Sequence, residues 1–368
     1  MVWAIGDRGP NLKLPLAVDR YGLDHLASQR APPGAKLMPC PTFGPAIVKL
    51  QVDGDRISAT RVLPLLDTTG APLSGLPPAG TDARDAEPAL DLDGNILPPD
   101  PGGADTEGVA RAADGSFWVG DEYGPSLLHV APDGRVHARW VPAGTEALFA
   151  GAAYPVLGRL LALAARRRLN RGFESLALSD FGTRLHLAFQ SPLAHPDERT
   201  GRHARHVRLW ALDTGTGALK AEHLYPLDAP ASFRRDRDAG PVERADVKLC
   251  DMAWLGDGRL LVLERISATA KLYLVTLDPQ QAADPALSNP ATRPSVEEMS
   301  AADTLSATIL DKQLLLSTDD HPEIGPDLEG IALLGPATLL LVNDNDFGIE
   351  GLPTRFWRID LPESLIRR

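Results

Sequence analysis

Cysteine is scarce in this chain of 368 residues: Cys40 and Cys250 are the two, and they show no metal-ligand spacing. Two thiols this far apart read as buried small apolar groups. A disulfide between them would instead imply an oxidising compartment. Basic residues are also short, with 37 Lys and Arg against 49 Asp and Glu, a net charge of −12. Such a surface offers no basic face to nucleic acid or to an anionic membrane, yet it can accept a cation. No apolar run reaches the length needed to span a bilayer. HExxH and CxxC are absent, which removes the obvious zinc motifs. GxSxG, Walker A and GxGxxG at a strand–helix junction are absent too, which argues against a serine hydrolase, a P-loop enzyme and a dinucleotide enzyme. No signal peptide opens the sequence, although its start in mid-repeat is compatible with a removed leader. Against these absences, Gly and Pro number 33 each, which suits many turns and few long helices.

What the chain does have is a repeat. Four segments begin with an acid: Glu107 (EGVARAADGSFWVGDE), Glu174 (ESLALSDFGTRLHLAFQ), Asp251 (DMAWLGDGRLLVLE) and Glu329 (EGIALLGPATLLLVND). Each reads acid, apolar strand, turn, apolar strand, polar residue. The starts lie 67, 77 and 78 residues apart. A period of that size, with two to four short strands per unit, predicts a β-propeller or another radial β-array. Trp3–Asn11 matches the second strand and following turn around Trp118–Ser126, and so reads as a fifth copy lacking its first strand. A strand lent from the C-terminal end would complete it, unless the natural protein has further residues.

Hairpins with Asp-Gly turns follow the acid-headed pairs, at Asp53-Gly54 and Asp133-Gly134. The expected fold is therefore all-β, one propeller domain over 1–368, with five visible blades and a possible sixth. Residues 67–104 read as a long loop insertion. Residues 157–169 (LGRLLALAARRRL), in an insertion near 155–169, read as the one helical stretch, and 195–206 and 229–246 as mobile charged loops.

In such a blade the first strand starts, and the second ends, on one face. That gathers Glu107, Glu174, Asp251 and Glu329 with Glu122, Gln190, Glu264, Asp344 and Asp7 at one mouth of the channel. Carboxylates so close repel one another unless protonated or bridged by a cation. Oxygen-only ligands suit a hard divalent metal, Ca²⁺ before Mg²⁺ or Mn²⁺. The other reading of each acid is a staple that accepts backbone amides of the next blade. Arg171 and Arg265 lie beside these acids and can hold an anion or pair with their neighbours. His321 is the histidine nearest to the set and the candidate base or ligand; otherwise it is a plain loop residue.

The segments DTEGVARAADGSFWVGDEYGPSLLHVAPDGRV (105–136), NRGFESLAL (170–178), KLCDMAWLGDGRLLVLER (248–265) and DLEGIALLGPATLLLVNDNDFGI (327–349), with GDRGPN (6–11), resemble the phytase-like family, described as esterase-like activity of phytase. The resemblance implies a propeller, usually in exported bacterial proteins, hence periplasmic or secreted. It carries an expected activity: a metal-dependent hydrolase of an ester or phosphoester at the channel mouth. Phytate itself is discounted, since no dense basic patch is visible. Glu107, Glu174, Glu329, Asp344, Glu122 and Asp7 are then the metal ligands. Asp251 or His321 is the base, and Arg171 or Arg265 steadies negative charge. The expected ligand is a small ester or anion, taken by a monomer. A non-catalytic, calcium-stabilised propeller that binds a ligand or protein is the alternative, and a lactone hydrolase the second.

Overall fold

Asp53-Gly54 turns the chain between two long strands, Ala46–Asp53 and Arg56–Pro64, with Gly54 at φ +61° where a side chain would be strained. The computed structural model describes residues 1–28, 31–80, 87–300 and 308–366. Throughout these the chain is mostly strand, arranged in five main sheets and one small one. The first sheet adds Val2–Ile5 to the pair just named. The second runs from Thr106–Arg111 through Phe117–Asp121, Ser126–Val130 and Val136–Pro142 to Val156–Leu160. The third holds Phe173–Leu178, Arg184–Phe189, His206–Asp213 and Leu219–Pro226. The fourth holds Lys248–Gly256, Arg259–Arg265, Ala270–Thr276 and Lys312–Ser317. The fifth has three strands, Leu328–Gly335, Thr338–Asn343 and Phe356–Asp360.

No strand ladder joins one of these sheets to the next; packed side chains and isolated hydrogen bonds do, such as Leu249 N–H donating to the Gln190 carbonyl at 2.9 Å. The acid-headed strand of the third sheet neighbours those of the second and fourth, the fourth neighbours the fifth, and Val2–Ile5 touches both the second and the fifth. Apolar layers fill the gaps between neighbouring sheets. Ile47, Leu63, Phe117 and Val119 lie between the first and second. Leu176, Leu187, Trp210, Met252 and Val262 belong to the largest core, shared by the second, third and fourth. The layer between the fifth and first is the thinnest, with Val2, Leu50 and Leu340 as its buried members.

The N-terminal strand departs from expectation. Val2–Ile5 itself takes the innermost place of the first sheet, and no C-terminal strand is lent, because Phe356–Asp360 stays in the fifth sheet. Its direction is that of a second strand. It runs toward the end where Thr106–Arg111 begins, as the Thr106 hydroxyl donating to the Gly6 carbonyl at 2.6 Å shows.

Residues 157–169 are not one helix. Val156–Leu160 extends the second sheet in parallel with Val136–Pro142, and only Ala162–Arg166 turns, as a short 3-10 segment. Leu160, Leu163 and Ala164 are buried by this path, which satisfies the strand's backbone on the sheet edge. Among the described residues, three α-helices lie elsewhere. Leu14–Tyr21 starts with Pro15 and ends on Gly22 in the left-handed region. Glu198–His203 and Arg234–Ala239 order the two segments read as mobile loops. The expected loop 67–104 includes 81–86, which lie outside the described residues.

One core contact sets an acid limit on stability. His186 of the third sheet stacks on Trp254 of the fourth, with ring centroids 5.0 Å apart and planes 8° from parallel. Burial, then the nearby His223 and Arg184, pushes its pKa down to about 4. The unfolded chain therefore binds this proton first as pH falls below 6.5. The contribution is present above pH 6.5 and is lost as pH falls toward 4. His186→Phe should shrink the drop in melting temperature between about pH 7 and pH 4.5. An undiminished drop would remove His186 from this account.

Candidate metal centre at the strand mouth

The acid-headed strands of the second and third sheets approach closely because glycine follows Glu107. A Cβ on Gly108 would stand 2.2 Å from the Glu174 carbonyl oxygen, so only glycine fits there. This proximity brings Glu107 and Glu174 to one cavity of about 210 Å³, which Asp7, Asp105, Glu122, Arg171, Glu329 and Asp344 also line. It lies beside a broader cleft of about 620 Å³, where Arg265 joins the wall.

Asp7, Asp105 and Glu107 form the tightest group: one carboxylate oxygen from each lies within 4.8 Å of the others. Asp7 follows the inner strand of the first sheet, while Asp105 and Glu107 flank Thr106 at the head of the second sheet's. Arg8 holds Asp105 at 3.0 Å and Glu87 at 3.1 Å, and donates to the Tyr123 hydroxyl at 3.0 Å. That leaves Asp105 Oδ1 buried with no donor, and Glu122 Oε1 likewise.

The electrostatics match this geometry. Burial first, then repulsion from Glu174, Asp7, Glu122 and Asp105, lifts the Glu107 carboxyl well above its usual range. Asp105 is lifted by burial against the pull of Arg8, with Asp7 and Glu87 adding to the rise. Glu122 is pushed up to about 7 by burial and by Asp105, with Arg171, Arg8 and Arg167 opposing. Glu174 is raised by burial and by Glu122, with Lys248, Arg265 and Arg171 opposing. A divalent cation fits such a donor set: oxygen atoms alone, crowded, with two buried acceptors unsatisfied.

Two candidates stand elsewhere. Asp251 lines the inner channel next to Glu107 and Glu329 rather than the acid cavity. Its oxygens accept from the backbone N–H of Met252 and, across to the fifth sheet, of Ile331, both at 2.8 Å. The second of these bonds staples the fourth sheet to the fifth. Asp251→Ala should cost about 1–3 kcal/mol by stranding these amides. Chemical denaturation measures that cost, and an unchanged midpoint would deny the staple. His321 is exposed, 3.2 Å from Glu323, and lines neither the cavity nor the cleft. The loop Thr318–His321 turns it to solvent.

One expected mouth position shifts by a residue. Glu264 faces between sheets, where it accepts from Tyr225, the Asp228 N–H and Lys312. Arg265 takes the place at the cleft that Glu122 has at the cavity, because successive strand residues point to opposite faces. Its guanidinium is fully engaged by Cys250, the Ile266 carbonyl, Asp327 and Glu329. Asp105 was not among the expected ligands. The D-x-E-G pattern, shared by 105–108 and 327–330, is the signal that marks it.

Comparison with known proteins agrees with the motifs. The chain belongs to the phytase-like family, described as esterase-like activity of phytase, whose profile matches residues 40–347. It is 26% identical over 302 residues to an uncharacterized secreted protein of Arthroderma benhamiae, covering 73% of this chain and 54% of that one. The chain thus spans about half the length of that relative. Among solved structures, it is similar to a Lactobacillus plantarum protein at 12% identity and a TM-score of 0.35, covering 91% of this chain and 86% of that one. A GH43 endo-arabinanase from Bacillus licheniformis gives 12% and 0.34, covering 87% and 86%. Among the described residues, no helix is long and apolar enough to cross a membrane.

Proposed function

We propose that this chain is a five-bladed β-propeller that binds a divalent cation, calcium best of all, at its acid-lined mouth and hydrolyses an ester or phosphoester there. The observation that carries the reading is the trio Asp7, Asp105 and Glu107, three carboxylates within 4.8 Å of one another. The cyclic order of the five inner strands supports the propeller. The trio would hold the cation, with Glu329 and Asp344 on the same cavity wall. When bound, such a cation polarises the scissile oxygen and acidifies a water. Glu122 lines the same cavity with Oε1 buried and without a protein donor, and would be the proton acceptor. Arg171 steadies the negative charge that develops on the substrate. The family's described activity and the secreted relative favour an exported hydrolase of small esters.

A structural role for the cation has its own support. The trio joins the first sheet to the second, and the first sheet's other seam is the thinnest. A cation there would lock the ring even without turnover. A screen of carboxyl esters, phosphomonoesters, phosphotriesters and lactones separates the two. Calcium-dependent hydrolysis of one class, lost in chelator and restored by calcium, is expected. Hydrolysis of none of them, in protein shown to hold calcium, would leave the locking role.

A further inference from the structure

Lys248 opens the inner strand of the fourth sheet, directly across from Arg265. The next residue is fixed to the third sheet by Leu249 N–H donating to the Gln190 carbonyl at 2.9 Å. Lys248 is thus held at the mouth, where it lines both the cavity and the cleft. Its ammonium makes no hydrogen bond or ion pair with any described residue. Arg171 lines the same two spaces, and its side-chain hydrogen bond goes to the neutral Gln190 amide.

Of the other cations of the cleft, Lys13 is exposed, and Arg265 and Lys36 are committed. Arg265 is saturated by Asp327, Glu329 and its two further partners. Lys36 is 2.9 Å from Asn11 Oδ1 and 3.4 Å from Glu87. Arg171 and Lys248, near enough to repel each other, are without an ion pair on the side of the third and fourth sheets. The acid trio belongs to the first and second. The mouth therefore has the acid trio on one side and, on the other, Arg171 and Lys248 together with Glu174.

We propose that Arg171 and Lys248 form an oxyanion subsite, so that the ligand of this cavity carries a phosphoryl or carboxylate group. The inference rests on the cation reading above, since so many carboxylates would repel an anion until a cation offsets them. Arg171 supplies a planar fork and Lys248 a point charge, a pairing that grips a tetrahedral or planar oxyanion from two directions. The ligand's other end then faces the acid trio.

Isothermal titration of the calcium-loaded protein with phenylphosphonate and with benzoate tests this. At least one should bind, and the two arms tell phosphoryl from carboxylate preference. Lys248→Met should weaken that binding about 10- to 100-fold, the scale of one lost charged hydrogen bond. Lys248→Arg should restore much of it. Calcium binding by Lys248→Met should be as tight as the parent's or tighter, which also reports an intact fold. The subsite is overturned if neither probe binds the calcium-loaded parent, or if Lys248→Met binds the probe as tightly. If the parent takes up no calcium, the cation reading fails by itself. The same titrations in chelator then judge the subsite: binding that Lys248→Met loses upholds it, and no binding overturns it.

Discussion

Calcium added to chelator-stripped protein is expected to raise its melting temperature by about 3–4 °C at a hundredfold excess over the dissociation constant. A ligand bound to the native state alone stabilises it by about 2.7 kcal/mol at that ratio, and the unfolding entropy of a chain this long converts this to the stated shift. Glu107→Gln should behave in two opposite ways. Every resolved influence on Glu107 raises its pKa, burial foremost and four neighbouring acids after it. Its charge therefore opposes folding when no cation is present. The variant should be more stable than the parent in chelator near neutral pH, and it should lose most of the calcium shift. The pH dependence follows with the same sign. A carboxyl whose folded pKa is raised binds protons more tightly folded than unfolded. For Glu122 the window runs from 4.5 to about 7, and stability falls as pH rises through it. Calcium should flatten this slope. A Glu107→Gln variant that is less stable in chelator and still shifts with calcium would refute the arrangement.

The second large effect concerns turnover. Glu174→Gln keeps the shape of a buried side chain 4% exposed and removes its charge. Metal-linked hydrolysis should fall by about two or more orders of magnitude, the scale of lost acid–base or electrostatic assistance. Arg171→Ala should raise KM if its contact forms in the ground state, and lower kcat if it forms only in the transition state. His321→Ala should change neither, because its ring faces solvent and Glu323. Steady-state kinetics on the best ester from the screen reads all three. Parental rates in both Glu174→Gln and Arg171→Ala would place the activity elsewhere.

The repeat made much of this visible beforehand. Four acids at equivalent places fixed where inner strands begin, and three of them, Glu107, Glu174 and Glu329, do line one cavity. Asp251 broke the pattern because position in a repeat does not decide what a carboxylate bonds. Two backbone amides lie within its reach, and it takes them. Glu264 failed for a different reason, since one residue of register turns a strand side chain to the other face. Arg265 stands at the cleft instead. Asp105 is less legible because it lies two residues before the acid that heads its strand. Its partner Asp7 comes from a strand that runs the other way, and only the folded chain brings the two together. The helix at Leu14–Tyr21 carried its own signals, Pro at the start and Gly at the end, but its eight residues were too few for the periodicity to stand out.

The central claim is that a cation sits among Asp7, Asp105 and Glu107. A crystal structure of the protein grown with calcium tests it most directly. One strong peak is expected among these three residues, with carboxylate oxygens at about 2.3–2.6 Å, the usual calcium–oxygen distance. Water alone among the three carboxylates, with calcium bound elsewhere or nowhere, would contradict it.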